Sequence, residues 1–105
     1  MSRRIQNITP AQFAEFTKTG TALVTFWSPD CHPCRMQAHI LEEMAKSPEL
    51  SAVKFLMLDV HEAPELVTRL AVASVPALFV FKDGESVQDF IGVQNPDILR
   101  NALLN

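Results

Sequence analysis

The sequence predicts an α/β fold, with a central mixed β-sheet of about five strands flanked by four helices. Two largely apolar runs rich in β-forming residues are typical of strands buried on both faces: 22–27, and 53–59, which repeats the pattern. Each run is followed by residues with helical spacing, and such alternation predicts right-handed parallel crossovers. An Asp-Gly pair within 82–85 predicts an antiparallel hairpin. Parallel strands therefore come first and antiparallel strands second, with helices on both faces of the sheet.

The first elements are a short strand over residues 5–8 and a helix that begins after it. Thr9, Pro10 and Gln12 supply a cap residue, a proline at the first helical position and a glutamine at the third. We expect Gly20 to close this helix. The first of these runs comes next, and burial on both faces would make it the central strand of the sheet.

A second helix is predicted from Pro33 to about Lys46, because Pro48 cannot continue it. Its apolar residues recur at helical spacing and are expected to face the core: Met36, Ile40, Leu41, Met44 and Ala45. Met57, in the second apolar run, is also expected in the core rather than on a binding surface.

The second half of the chain predicts a short helix, a hairpin and a last helix. The short helix covers 64–70, and the hairpin strands cover 77–81 and 86–91. Asn95, Pro96 and Asp97 combine an N-cap, a first-position proline and an early acidic residue. They predict a final helix that runs to Leu104.

Composition and charge narrow the classes of protein. With 48% apolar residues, the 105-residue chain can build one core, and we expect a single domain over 1–105. The net charge of −3 and the scattered basic residues argue against nucleic-acid binding. Residues 1–7 contain two arginines, but no apolar run follows them, so we expect neither a secretory signal nor a membrane span. We therefore expect a cytosolic protein, and in a reducing compartment a close cysteine pair is more often catalytic or metal-binding than structural. Nothing in the sequence demands more than a monomer.

Cys31 and Cys34 are the candidate catalytic residues. Their spacing at the first turn of a helix places the Cα atoms about 5 Å apart, within disulfide range. As a structural staple the bond would contribute only about 2 kcal/mol, against about 3 kcal/mol for a fifteen-residue loop. Free N–H groups and the helix dipole favour a thiolate at Cys31. We expect Cys31 to attack a substrate disulfide and Cys34 to resolve the mixed disulfide.

Two neighbours, His32 and Asp30, affect the charge at the Cys31 sulfur. Pro33 completes the Cys-His-Pro-Cys sequence. A protonated His32 would favour the thiolate further, and the alternative is that His32 is only an exposed filler. Asp30 acts in the opposite direction, because a carboxylate beside a sulfur disfavours the thiolate. That effect is reduced if Asp30 is taken up as a helix cap.

Several motifs occur in a fixed order: Phe26-Trp27, Cys31-His32-Pro33-Cys34, Val75-Pro76, Phe81-Lys82-Asp83-Gly84-Glu85 and Gly92. In order and spacing they closely resemble the thioredoxin family over almost the whole chain. The resemblance implies the thioredoxin fold and a thiol–disulfide oxidoreductase with no cofactor beyond its own disulfide. It also implies disulfide-containing protein substrates, and a thioredoxin reductase or another dithiol donor as the source of electrons.

The resemblance further implies a substrate-binding surface. The Val75–Pro76 bond is expected to be cis, with Pro76 facing the disulfide, and the Val75 backbone to bind an extended substrate segment. Trp27 and Gly92 are expected to border the same surface. The alternatives are a trans proline that merely opens a strand, and a Trp27 that serves only as a core residue.

Four departures from the family pattern affect the chemistry. His32 stands where the typical thioredoxin has glycine, and we expect a reduction potential at least about 30 mV higher. Thr25 and Phe55 replace the buried aspartate and its lysine partner, a joint apolar change that leaves no single buried charge. Slower deprotonation of the second cysteine should follow. Asp30 and Ser74 replace a tryptophan and a glycine, which alters the docking surface.

Two other functions stay open at this point. A zinc site would combine both thiolates with His32, His39 or His61, although no spaced pair of ligands completes four-coordination. A non-enzymatic module would keep the shape and use the cysteines to hold one partner, a possibility that the missing buried acid favours. Zinc analysis of the reduced protein and a multiple-turnover assay distinguish these functions from catalysis.

Overall fold

The computed structural model describes residues 4–105, and every predicted element is present in it. The elements in chain order are β1 (Ile5–Asn7), α1 (Pro10–Thr17), β2 (Thr21–Trp27), α2 (His32–Met44), β3 (Lys54–Asp59), α3 (Pro64–Arg69), β4 (Ala77–Lys82), β5 (Glu85–Ile91) and α4 (Pro96–Leu104). Short 3-10 helices flank β3 at Pro48–Leu50 and Val60–Glu62. Within residues 4–105, no helix has both the length and the apolar character that crossing a membrane requires.

The strands form one mixed sheet in the order β1-β3-β2-β4-β5. β1 and β2 each pair in parallel with β3, whereas β4 runs antiparallel to β2 and β5 antiparallel to β4. The predicted change from parallel to antiparallel pairing is thus confirmed, and β2 is the central strand. Because β2 has a paired strand on each side and helices on both faces, its residues 22–26 are all buried.

The core has two layers, one on each face of the sheet. Side chains of α1 and α3, such as Phe13 and Leu66, pack on one face. Side chains of α2 and α4, such as Leu41 and Leu99, pack on the other. Met44 and Met57 are buried as predicted, but the prediction for Met36 is wrong. Its side chain is 50% exposed, because it lies beyond the edge of the apolar face of α2.

The end of α1 differs from the prediction that Gly20 closes it. The helix ends at Thr17, and Gly20 lies further along with φ +74°, in the turn that leads into β2. The ammonium group of Lys54 on β3 donates hydrogen bonds to the carbonyls of Phe16 and Thr19, at 3.1 and 2.5 Å. A cation from a distant strand therefore satisfies the carbonyl end of this helix, where cations are favoured.

The predicted hairpin is confirmed, and its turn also contacts the turn after α1. Asp83 and Gly84 both have positive φ, as a two-residue hairpin turn with the twist of the strands requires. The Gly20 N–H donates to Oδ1 of Asp83 at 2.8 Å, and the Asp83 N–H donates to the Gly20 carbonyl at 2.9 Å. The two turns thus form one corner of the molecule, at the end of the sheet where β2 begins.

Candidate active site

Cys31 and Cys34 lie where β2 passes into α2. The central strand ends at Trp27, and a short loop then leads to Cys31, which is the N-cap residue of α2. The sulfurs form a disulfide with the Cα atoms 5.2 Å apart, close to the predicted separation. The pair lies at the carboxyl end of a parallel strand, the edge at which α/β sheets place their chemistry.

The surroundings of the two sulfurs differ. Cys34 is only 2% exposed, whereas Cys31 is partly exposed at the rim of the helix. The backbone N–H of Cys34 donates to Sγ of Cys31 at 3.1 Å. This bond, together with the positive end of the helix dipole, favours negative charge on Cys31 after the disulfide is reduced. One sulfur is therefore accessible and lies where the helix start favours an anion, while the other is shielded.

The segment before β4 lies against the disulfide. The Val75–Pro76 peptide bond is cis, which confirms that expectation, and the Val75 carbonyl oxygen is 3.8 Å from Sγ of Cys31. The Gly92 N–H donates to the Pro76 carbonyl at 2.8 Å. Gly92 itself has φ +86°, a conformation that residues with a Cβ rarely adopt. The fold thus brings Val75, Pro76 and Gly92 together next to the cysteine pair.

The remaining predicted site residues surround the pair at different depths. His32 and Pro33 occupy the first two positions of α2, and both are exposed. Trp27 is half-buried and packs on the core layer between the sheet and α2. Asp30 does not cap α2, since Cys31 takes that position and Asp30 is exposed one residue earlier. Its carboxylate is therefore not engaged as the cap of this helix.

Thr25 and Phe55 lie in an apolar layer. Thr25 is fully buried on β2, with Met57 and Leu78 as its neighbours on the adjacent strands. Its hydroxyl has no hydrogen-bond partner. Phe55, two residues before Met57 on β3, is also buried in this layer. No charged side chain is among the buried residues of 4–105. A hydroxyl and an aromatic ring occupy the positions of Thr25 and Phe55, where a buried ion pair would lose its hydration.

Sequence reasoning missed Gln37, which is fully buried on the second turn of α2. Its side chain exchanges two hydrogen bonds with the backbone of Gln94 in the loop before α4. The signal was the spacing, since residue 37 follows Cys34 by three positions and precedes Leu41 by four, which places it on the buried face of the helix.

Across the described residues, 4–105, no three His, Cys, Asp or Glu side chains come together in a group that could hold a metal ion. His32, His39 and His61 are each exposed, and His61 belongs to the 3-10 helix that follows β3. The two sulfurs are bonded to each other.

A cysteine pair at the start of a helix, beside a cis-proline at the carboxyl edge of a mixed sheet, defines a thiol–disulfide oxidoreductase. Comparisons with known proteins agree with this class. The thioredoxin family model matches residues 4–105, and the chain belongs to the thioredoxin family. It is a protein disulfide oxidoreductase with the thioredoxin fold, and its family acts in general on disulfide-containing proteins and is recharged by a reductase.

Individual relatives are similar over nearly their whole length. The thioredoxins of Staphylococcus haemolyticus and Staphylococcus aureus are each 40% identical over 99 residues, which is 94% of this chain and 94% of theirs. Among solved structures, a mutant thioredoxin from Halobacterium salinarum superposes with a TM-score of 0.86 at 25% identity, covering 98% of this chain and 91% of that one. The thioredoxin of Malassezia sympodialis gives 0.82 at 25% identity, with the same coverage.

Proposed function

We propose that this protein performs reversible dithiol–disulfide exchange with protein substrates, with Cys31 as the nucleophile and Cys34 as the resolving cysteine. The Cys31 thiolate attacks one sulfur of the substrate disulfide, forms a mixed disulfide and releases the other sulfur as a thiolate. The Cys34 thiolate then attacks Cys31, forms the intramolecular disulfide and releases the second substrate thiolate. The observation that carries this assignment is the Cys34 N–H that donates to Sγ of the more exposed sulfur.

The same surface supports a mode of substrate binding. An extended substrate segment laid over Val75 and Pro76 would bring its disulfide to Cys31, because the Val75 carbonyl is already 3.8 Å from that sulfur. Gly92 borders this surface through its bond to Pro76, and Trp27, at the end of β2, packs on the adjacent core layer. No cofactor is required, since the electrons reside in the cysteine pair. A thioredoxin reductase or another dithiol donor would restore the dithiol.

We further propose that the protein is less reducing than an ordinary thioredoxin. His32 stands directly after the N-cap sulfur and is exposed, so a protonated ring would stabilise the Cys31 thiolate of the reduced form. A stabilised reduced form means a higher reduction potential. Asp30, exposed on the other side of Cys31 and not capping α2, opposes this effect, and the measured potential shows which of the two neighbours dominates.

The reduction potential is the direct test of this proposal. Equilibration with glutathione buffers should place the Cys31–Cys34 couple about 30 mV or more above the roughly −270 mV of thioredoxin. His32→Gly should return it toward that value, whereas His39→Gly, a matched change at an exposed histidine further along α2, should leave it in place. A wild-type value at or below about −270 mV refutes the less-reducing assignment.

A turnover assay separates catalysis from simple capture of a partner, which the apolar Thr25 position favours as the second candidate. Multiple turnovers of a disulfide-bonded protein with a dithiol donor support the exchange mechanism. Cys34→Ser should accumulate a mixed disulfide through Cys31, and Cys31→Ser should abolish exchange. Stable capture by the wild type without turnover would instead favour the binding module. We also propose that the protein acts in the cytosol, because a reducing compartment keeps such a pair available as a dithiol. We propose that it acts as a monomer.

A further inference from the structure

Gln37 is a fully buried polar residue next to the reactive helix start. Its Nε2 donates to the Gln94 carbonyl at 3.2 Å, and its Oε1 accepts from the Gln94 N–H at 2.6 Å. Both polar atoms of the amide are therefore used, on the backbone of a loop 57 residues away in sequence. A buried amide with both partners in place fixes one geometry, because any displacement leaves polar groups unpaired.

The loop that Gln37 contacts, residues 91–94, is also hydrogen-bonded to the segment that lies against the disulfide. The Gln94 side chain donates to the carbonyls of Ile91 and Gly92, at 3.1 and 3.2 Å. Gly92 in turn donates to the Pro76 carbonyl at 2.8 Å. A continuous series of hydrogen bonds thus runs from the buried face of α2, through residues 91–94, to the cis-proline.

These contacts join the two halves of the proposed exchange site. Helix α2 carries both cysteines, while the binding surface consists of Val75, Pro76 and Gly92. A substrate can react only when it binds this surface and presents its sulfur to Cys31 at the same time. Misplacement of one half relative to the other by about 1 Å can cost roughly a hundredfold in rate.

We propose that Gln37 is a positioning residue that fixes loop 91–94 against α2 and thereby sets how protein disulfides dock. The proposal rests on the exchange function proposed above. An apolar residue at this position would fill the same space but leave the Gln94 N–H and carbonyl without their partner, so the loop could shift. Small disulfides need no docking surface beyond Cys31, and their reaction should not depend on Gln37.

Gln37→Met tests this inference, because methionine keeps the length of the side chain and removes both hydrogen bonds. With insulin as the protein disulfide, kcat/KM should fall about tenfold, mainly through a higher KM. The rate with a small aromatic disulfide and the equilibrium with glutathione should stay within about twofold. Gln88→Met makes the same change at an exposed glutamine on β5 and should alter none of these quantities.

Two outcomes overturn the inference. One is an insulin kcat/KM for Gln37→Met within about twofold of the wild type. The other is an equal loss with the small disulfide, which would mean that Gln37 acts on the cysteines rather than on docking. If Gln37→Met does not fold, Gln94→Ala serves instead, because it removes the side-chain bonds to Ile91 and Gly92. This variant should raise KM for insulin but not for the small disulfide, and an unchanged KM for insulin counts against the inference.

Amide hydrogen exchange makes the test independent of substrate. In folded Gln37→Met, the Gln94 and Gly92 amides should exchange about tenfold faster than in the wild type, while central amides of β4 are unchanged. Unchanged protection of Gln94 overturns the inference. If the wild type itself fails to turn over insulin, the exchange function has failed, and these amide rates then decide whether Gln37 positions the loop.

Discussion

Thr25 and Thr17 are both buried, but only one of their hydroxyls has a hydrogen-bond partner. Thr17, on α1, donates from Oγ1 to the Phe13 carbonyl at 2.9 Å. Thr25, on β2, has an unpartnered Oγ1 among apolar neighbours. Valine has nearly the same shape as threonine, with a methyl group in place of the hydroxyl. Replacing each threonine by valine should therefore change the free energy of unfolding in opposite directions.

The expected size follows from the two environments. A buried hydroxyl without a partner costs about 1–3 kcal/mol, and Thr25→Val removes that cost in a strand where valine is favoured. The free energy of unfolding should then rise by about 1 kcal/mol or more, which for a domain of this size corresponds to roughly 4–8 °C in Tm. Thr17→Val instead exchanges a hydrogen bond for a methyl group, and should lower the free energy by up to about 1 kcal/mol.

Urea denaturation of the oxidised proteins measures both effects under one condition. With a slope of about 1–3 kcal/mol per molar urea, the midpoints of the two variants should lie on opposite sides of the wild type. Each variant must keep the wild-type slope, so that the midpoints compare the same two states. A Thr25→Val protein that is no more stable than the wild type would refute the reasoning, since it would mean that the hydroxyl is already satisfied in solution.

Three further experiments test the active site and the cap of α4. Thr25→Asp should speed turnover, because burial raises the pKa of the new carboxyl toward the range in which it can take the proton of Cys34. Single-turnover kinetics measure the rate at which Cys34 resolves the mixed disulfide, and an unchanged rate counts against this prediction. The same variant should unfold at lower urea, since its carboxyl has no ion partner in the apolar layer. Asn95→Ala removes the oxygen that accepts from the Ile98 N–H at 3.0 Å and should lower the free energy of unfolding by about 1 kcal/mol. Asn101→Ala, on the exposed side of α4, should lower it by less than half as much. Equal losses would show that the cap contributes nothing. Alkylation of reduced Cys31 should reach half its maximal rate at a lower pH than a model thiol does, and coincident profiles would contradict the stabilised thiolate.

Elements with local signals could be predicted from the sequence. Asn95 caps α4, and the Gln12 side chain accepts from the Thr9 N–H at the start of α1, as the spacing of these residues indicates. Asp83 and Gly84 turn the hairpin because two adjacent residues with positive φ suit that pair. The handedness of crossovers predicted parallel pairing in the first part of the chain and antiparallel pairing in the second, whereas the full order of the strands was not predicted.

Features that depend on distant partners could not be predicted in the same way. Lys54, not Gly20, satisfies the end of α1, and its ammonium group comes from a strand 38 residues beyond Phe16. Periodicity identified the apolar face of α2 but not its edge, so Met36 was wrongly assigned to the core. Gln37 is buried only because the Gln94 backbone supplies both of its partners. The spacing of Gln37 indicates the buried face of α2, but no local pattern identifies a hydrogen-bond partner 57 residues away.

The cysteine site was predictable for a related reason: its parts are local to one strand end and one helix start. Cys31 and Cys34 needed only the strand before them and the helix after them to be placed. The contact of Cys31 with Val75, 44 residues away, came instead from the family resemblance. Asp30 was uncertain because either it or Cys31 could act as the cap, and the chain uses the sulfur.

The corner formed by Gly20 and Asp83 offers a position for an attached reporter. β2 starts beside this corner and ends beside the cysteines, so its seven residues separate the two by roughly 20 Å. A dye or surface tether coupled to the amine of Lys18, exposed near the hairpin turn, would sense the loss of that corner on unfolding. The reacting sulfurs would stay open to large protein molecules throughout, which makes immobilised or single-molecule measurements of exchange feasible.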